Sequence, residues 1–195
     1  MRFHIGEIPD SPDFVPDSTW MLVRQPTPWV MQLLALPIGL TLAVFLGVLW
    51  LMLTPVGRGP PPSARQCLGA LLAIVPAHEA LHLAMHPRTG DSIFGVWPSR
   101  LLFYTHYHNQ LPCRRYIGVL LLPVVILSLV PLLACALTAA PSAFLAAASV
   151  INALLACGDL FTVGLLLAQV PLGATLRNKG WRVYWKGLAP AGKGD

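Results

Sequence analysis

The chain has 195 residues, 55% of them hydrophobic and only 11% charged, with a mean hydropathy of +0.65. So few charges exclude a water-soluble domain with an ordinary solvated surface and point to a membrane protein. A net charge of +5, with no nucleic-acid-binding motif to go with it, reads as a topology signal and an attraction to anionic lipid, and it excludes nucleic acid as the partner.

In chain order, residues 6 to 28 form a Pro- and Asp-containing stretch that reads as loop, within a 28-residue N-terminal tail. Residues 29 to 53 carry no charge and are long enough to cross a hydrocarbon core of about 30 Å. The run is too long for a signal peptide, starts too far from residue 1 and lacks a small-residue cleavage site. A Gly- and Pro-rich turn follows at 57 to 63, then a second apolar segment over 67 to 85. Residues 93 to 108 are too polar and broken for a span. They alternate and are rich in aromatic and β-favouring residues, which predicts a hairpin with its turn at Pro98 to Arg100. Its exposed edge would accept an unwound peptide as an added strand. Residues 117 to 172 hold a single charge, Asp159, and at 1.5 Å per residue are far too long for one crossing. The stretch divides into two spans, with the turn near Thr138 to Ser142, where Pro141 interrupts it.

The predicted fold is therefore a mainly α integral membrane protein of four transmembrane helices, at about 29–53, 67–85, 117–138 and 143–171, with a small β-hairpin at the cytoplasmic face. Arg58 and Arg65 fall on one side. The other eleven of the 13 Lys and Arg, from Arg2 to Lys193, fall on the opposite side, which places both termini of a multi-pass cell-membrane protein in the cytoplasm. The tail from residue 173 onward, with Trp181, Arg182, Trp185 and Lys186, has the makeup of an interfacial anchor. Cys67, Cys113, Cys135 and Cys157 stand too far apart for a metal knuckle and read as small apolar residues.

The chemistry is concentrated in His78-Glu79-Ala80-Leu81-His82. Residues i and i+4 share one helix face, so both imidazoles can reach one metal ion, with the Glu79 carboxylate next to them as a general base. Chance is a poor rival: residue frequencies give about 0.002 occurrences of this pattern in a chain of this composition. The bland alternative is a pair of helix histidines satisfied by ordinary hydrogen bonds.

Zinc needs a third protein ligand. The only glutamates are Glu7 and Glu79, so a downstream helical glutamate is excluded, and the extended motif fails because Met85 and Arg88 stand where its Gly and third His belong. His86 lies about 12 Å along the helix from His78, too far to share an ion. That leaves Asp159, Asp91, His106, His108 or a cysteine. Asp159 leads this group. A lone carboxylate in an apolar span costs roughly 2.5 to 3.5 kcal/mol unless paired or metal-bound, and counting residues puts it at the depth of the two histidines. Pairing with a loop arginine is the competing account. His106 and His108 lie on one strand face, where surface histidines are favoured over an accessory metal site.

His-Glu-Ala-Leu-His in a short second span, a polar aromatic segment, and Asn152-Ala-Leu-Leu-Ala-Cys-Gly-Asp159 late in the last span resemble the putative zincin peptidase family of small bacterial membrane proteins. More distantly, the layout is similar to the site-2 protease intramembrane metallopeptidases. The resemblance covers roughly residues 65 to 185 and implies a zinc ion held by His78, His82 and Asp159, with Glu79 catalytic. Site-2 proteases carry an N-x-x-P-x-x-x-L-D-G signature. Here the Asn-to-Asp spacing is seven and the proline is absent, which leaves the role of Asn152 open, although i and i+7 share a face.

These observations give an expected function: a membrane zinc metallopeptidase that cuts membrane-associated protein or peptide segments, with Glu79 as general base. The alternative is a non-catalytic membrane protein with a structural or regulatory metal site. Metal transport is a weaker third reading, because the spans offer only Glu79 and Asp159.

Overall fold

A computed structural model describes residues 1–11, 13–55, 60–140 and 142–187. Pro141, the first residues of the 57–63 turn and Lys193 lie outside them. The elements are β1 (Arg2–Ile5), β2 (Met21–Leu22), α1 (Pro28–Leu53), α2 (Ala64–Met85), β3 (Ser92–Trp97), β4 (Leu102–Tyr107), β5 (Leu111–Pro112), α3 (Cys113–Pro123), α4 (Val130–Thr138), α5 (Ala143–Leu155), α6 (Cys157–Gln169), β6 (Thr175–Lys179) and β7 (Arg182–Lys186). A π-helical turn over Val124–Leu129 joins α3 to α4.

Among the described residues, three helical stretches are long and apolar enough to cross a membrane: α1, α2 and the continuous run Cys113–Thr138. A fourth is added if α5 and α6, bent by 46° where they meet at Ala156, count as one span. Capping residues set some of the boundaries. Thr27 precedes a proline at the first turn of α1, the Ser63 side chain accepts from the Gln66 N–H in a reciprocal capping box at α2, and Ser142 caps α5. The π turn sits just before Pro131, which has no N–H to give to the carbonyl of Leu127, so the helix widens there instead of breaking.

The helices pack through small residues. Ala146, Ala147, Ala148, Ser149 and Ala153 line the inner face of α5, against Leu46 and Trp50 of α1 and against Ala70 and Ile74 of α2. Small residues of this kind let helix backbones approach closely. Gly39 of α1 is part of it: a Cβ there would meet the Cys157 Cβ at 2.7 Å and the Leu154 carbonyl at 2.8 Å, so α1 approaches the α5–α6 break at backbone distance. The outward surface of α1 is apolar and exposed at Leu33, Leu34, Val44, Phe45 and Leu51.

The hairpin predicted over 93 to 108 is present, with β3 and β4 antiparallel from Ser92↔Tyr107 to Trp97↔Leu102. Its turn is a 3-10 segment at Pro98–Arg100, followed by Leu101 in the left-handed region. More strand is present than the sequence suggested. β1 adds in parallel to β3, from Arg2↔Ile93 to Ile5↔Val96, and makes a three-stranded sheet with β4 at one edge. A second sheet, in the order β2-β7-β6-β5, takes in residues read from sequence as loop and as C-terminal tail. Gly180 makes the β6–β7 turn at φ +54, where a side chain would be strained and would meet Asp10 Oδ1 at 2.7 Å. Val23, Leu176 and Val183 of this sheet pack on Leu166 and Val170 at the end of α6.

This architecture corrects the reading of His106 and His108. They are buried, at 4% and 6% exposure, because the N-terminal segment lies over their side of the sheet. Ile8 packs against the Ile93, Trp97 and Tyr104 cluster, and Ser11 Oγ is 2.6 Å from His108 Nδ1. Burial pushes His106 down to about 3, with His108 and His86 adding to the effect.

Candidate metal centre

One stripe of α2 is buried at Ala70, Ile74, His78 and His82, successive positions four residues apart. The i+4 rule puts these on a single face, and that face lies against α5. The histidines therefore point into the bundle, with ring centroids 4.7 Å apart and edges against faces. Asp159 reaches them because the chain bends at Ala156. The bend starts a new helix, and Asp159 stands in the first turn of α6, where the positive end of the helix dipole favours a carboxylate.

The three side chains meet. Asp159 Oδ2 is 3.0 Å from His78 Nε2 and 3.4 Å from His82 Nε2. Zinc–ligand bonds of about 2.0 to 2.2 Å in a tetrahedron require donor separations of about 3.3 to 3.6 Å, so the two contacts to Asp159 are already close to metal-binding size. The other ring nitrogens are engaged: His78 Nδ1 lies 2.9 Å from Asn152 Oδ1, and His82 Nδ1 lies 2.9 Å from the Val119 carbonyl. Two imidazoles and one carboxylate are a donor set that suits a zinc ion with one position left over.

Glu79 sits one residue round the helix from His78 and faces the hairpin. Its donor atoms lie within 4.8 Å of those of His78 and His82. The side chain is buried, and the Thr105 hydroxyl of β4 donates to Oε2 at 2.7 Å. Two cavities flank Glu79. One, of about 440 Å³, is lined by His78, Glu79 and apolar groups that include Met31, Trp97, Phe103 and Leu154. The other, of about 210 Å³, is lined by Glu79, His82, Thr105, Tyr116 and Asp159. Leu102 and Phe103 of β4 border both, so the outer edge of that strand runs past the carboxylate.

The remaining sequence candidates lie elsewhere. His86 caps the end of α2, with Nδ1 3.1 Å from Ser92 Oγ and its ring over Tyr107. Asp91 pairs with Arg2, and all four cysteines are free thiols. Asn152 is fully buried against His78, so its amide does not face a substrate. Thr105 was not singled out from sequence. It carries no local signal, because only the hairpin register turns it toward α2.

A mainly helical chain with several apolar helices of membrane-crossing length and a buried His-Glu-x-x-His cluster defines the class. The chain belongs to the putative zincin peptidase family, whose pattern matches residues 71–175, just over half of its length. No curated protein and no solved structure matches it.

Proposed function

We propose that this protein is an integral membrane zinc metallopeptidase that hydrolyses peptide bonds in membrane-associated protein segments. The observation that carries the reading is the approach of His78 Nε2 and His82 Nε2 to one oxygen, Asp159 Oδ2, at 3.0 and 3.4 Å, beside a buried Glu79. When bound by those donors, zinc supplies Lewis-acid activation of water and of a peptide carbonyl. Glu79 Oε1, left free by the Thr105 bond to Oε2, takes a proton from the attacking water and returns it to the departing nitrogen. An extended substrate segment lies along the outer edge of β4, which among the described residues pairs with β3 alone, and its side chains enter the cavities on either side of Glu79. The apolar lining of the larger cavity supports a hydrophobic substrate segment.

Four spans bring both termini and the hairpin to the cytoplasmic side, on the asymmetry of eleven basic residues against Arg58 and Arg65. Reporters fused to the two ends should both report cytoplasm, and termini on opposite faces would overturn that arrangement.

The function is tested with protein purified in detergent. It should cleave an apolar peptide, lose activity on chelation and regain it with zinc. Stoichiometric zinc without cleavage of any membrane substrate would favour the structural or regulatory metal site instead. Thr105→Val keeps the branched shape but removes the hydroxyl that orients Glu79. It should lower kcat by on the order of tenfold with zinc content unchanged, while Thr105→Ser stays near wild type. Equal rates for Thr105→Val and wild type would remove Thr105 from the site.

A further inference from the structure

Asn152 makes three hydrogen bonds in the interior of the bundle, and their directions are all determined. The Pro123 carbonyl can only accept, so the group facing it at 2.9 Å must be the Asn152 amide nitrogen. The second proton of that nitrogen goes to Ser128 Oγ, also at 2.9 Å. Ser128 is free to accept because its own hydroxyl donates to the Ser149 carbonyl, while the Ser149 hydroxyl donates back to the Ser128 carbonyl. A flipped amide would set two oxygens against each other at Pro123. Asn152 Oδ1 therefore points at His78, and an amide oxygen only accepts, so His78 Nδ1 carries the proton.

We infer that Asn152 is a positioning residue that holds His78 in the tautomer with Nδ1 protonated, leaving the Nε2 lone pair directed at the metal position. This rests on the metal-centre reading given above. The wide π turn has a place in the device. It presents Ser128 toward α5 one turn beyond Pro123, so both amide protons find acceptors on the same helix. The two histidines differ in this respect. His82 is fixed by a backbone carbonyl, Val119, which no side-chain substitution removes, whereas His78 depends on one side chain. Partners of this kind orient ligating imidazoles and raise their basicity, and their loss lowers metal affinity by about 10 to 100-fold.

The test compares Asn152→Leu, which has no acceptor, with Asn152→Asp, which keeps an acceptor for His78 but loses both amide protons. Zinc affinity is read by competition, folding by thermal melting, and the His78 tautomer by nitrogen-15 NMR of the metal-free protein. Asn152→Leu should bind zinc about 10 to 100-fold more weakly and show a mixed His78 tautomer. Asn152→Asp, when protonated, can still donate one proton to the Pro123 carbonyl and accept from His78, so it should bind zinc more tightly than Asn152→Leu. If Asn152→Leu binds zinc like wild type, or Asn152→Asp is weakened as much as Asn152→Leu, the residue acts through packing and the inference falls. The wild-type spectrum needs no variant to fold: an unprotonated His78 Nδ1 in the metal-free protein would overturn the inference outright. Wild type that binds no zinc but keeps Nδ1 protonated would instead overturn the metal-centre reading while supporting the role of Asn152.

Discussion

Glu79→Gln is expected to abolish peptide cleavage while leaving zinc binding at its wild-type level. The substitution keeps the side-chain volume in a buried position and keeps an oxygen to accept from Thr105, so the hairpin and α2 stay in register. What it removes is the basic oxygen. An amide oxygen cannot take a proton from water at neutral pH, and losing a positioned general base costs about 10² to 10⁴-fold in rate. Zinc should be retained because the proposed ligands are His78, His82 and Asp159, whose Oδ2 lies 3.0 and 3.4 Å from the two Nε2 atoms, and not Glu79. The measurement is cleavage of a membrane substrate by zinc-loaded wild type and variant, with metal content determined on the same samples. Cleavage by the variant at the wild-type rate would end the peptidase reading as built on Glu79.

Asp159→Ala should do the reverse, losing the metal and with it the activity, without losing the fold. His78 and His82 converge on a single oxygen, Asp159 Oδ2, and without it two neutral imidazoles remain and no anionic donor. Zinc affinity should fall by more than about a hundredfold. In the absence of metal Asp159 is the shared partner of two buried histidines, so removing it leaves both rings unpaired at Nε2 and the zinc-free variant should melt below the zinc-free wild type. Metal analysis of the purified variant, together with melting curves, separates the two effects. Full zinc occupancy in Asp159→Ala would mean that another residue completes the site.

Several features were legible without coordinates because they depend on local spacing. The interval of four between His78 and His82 places both on one helix face, and charge-free runs mark apolar helices long enough to cross a membrane. The alternation from Ile93 to His108, around a Pro98 to Arg100 turn, makes a hairpin. The β6–β7 hairpin also had a local signal, in Asn178-Lys179-Gly180 between alternating residues, but its tryptophans and basic residues resemble a membrane anchor equally well.

What the tertiary structure decided is long-range. The pairing of Arg2 with Ile93 joins residues some ninety positions apart, and no periodicity in either segment announces it, yet it brings in the segment that buries His106 and His108. The bend at Ala156 lies in a continuous apolar run with no proline to mark it, and it brings Asp159 in the first turn of α6 to the two histidines. Asn152 and Thr105 acquire their roles only through partners on other elements. A sequence states which residues share a face of their own helix or strand; which faces meet is settled by packing, through close-approach points such as Gly39 against Cys157 and Leu154.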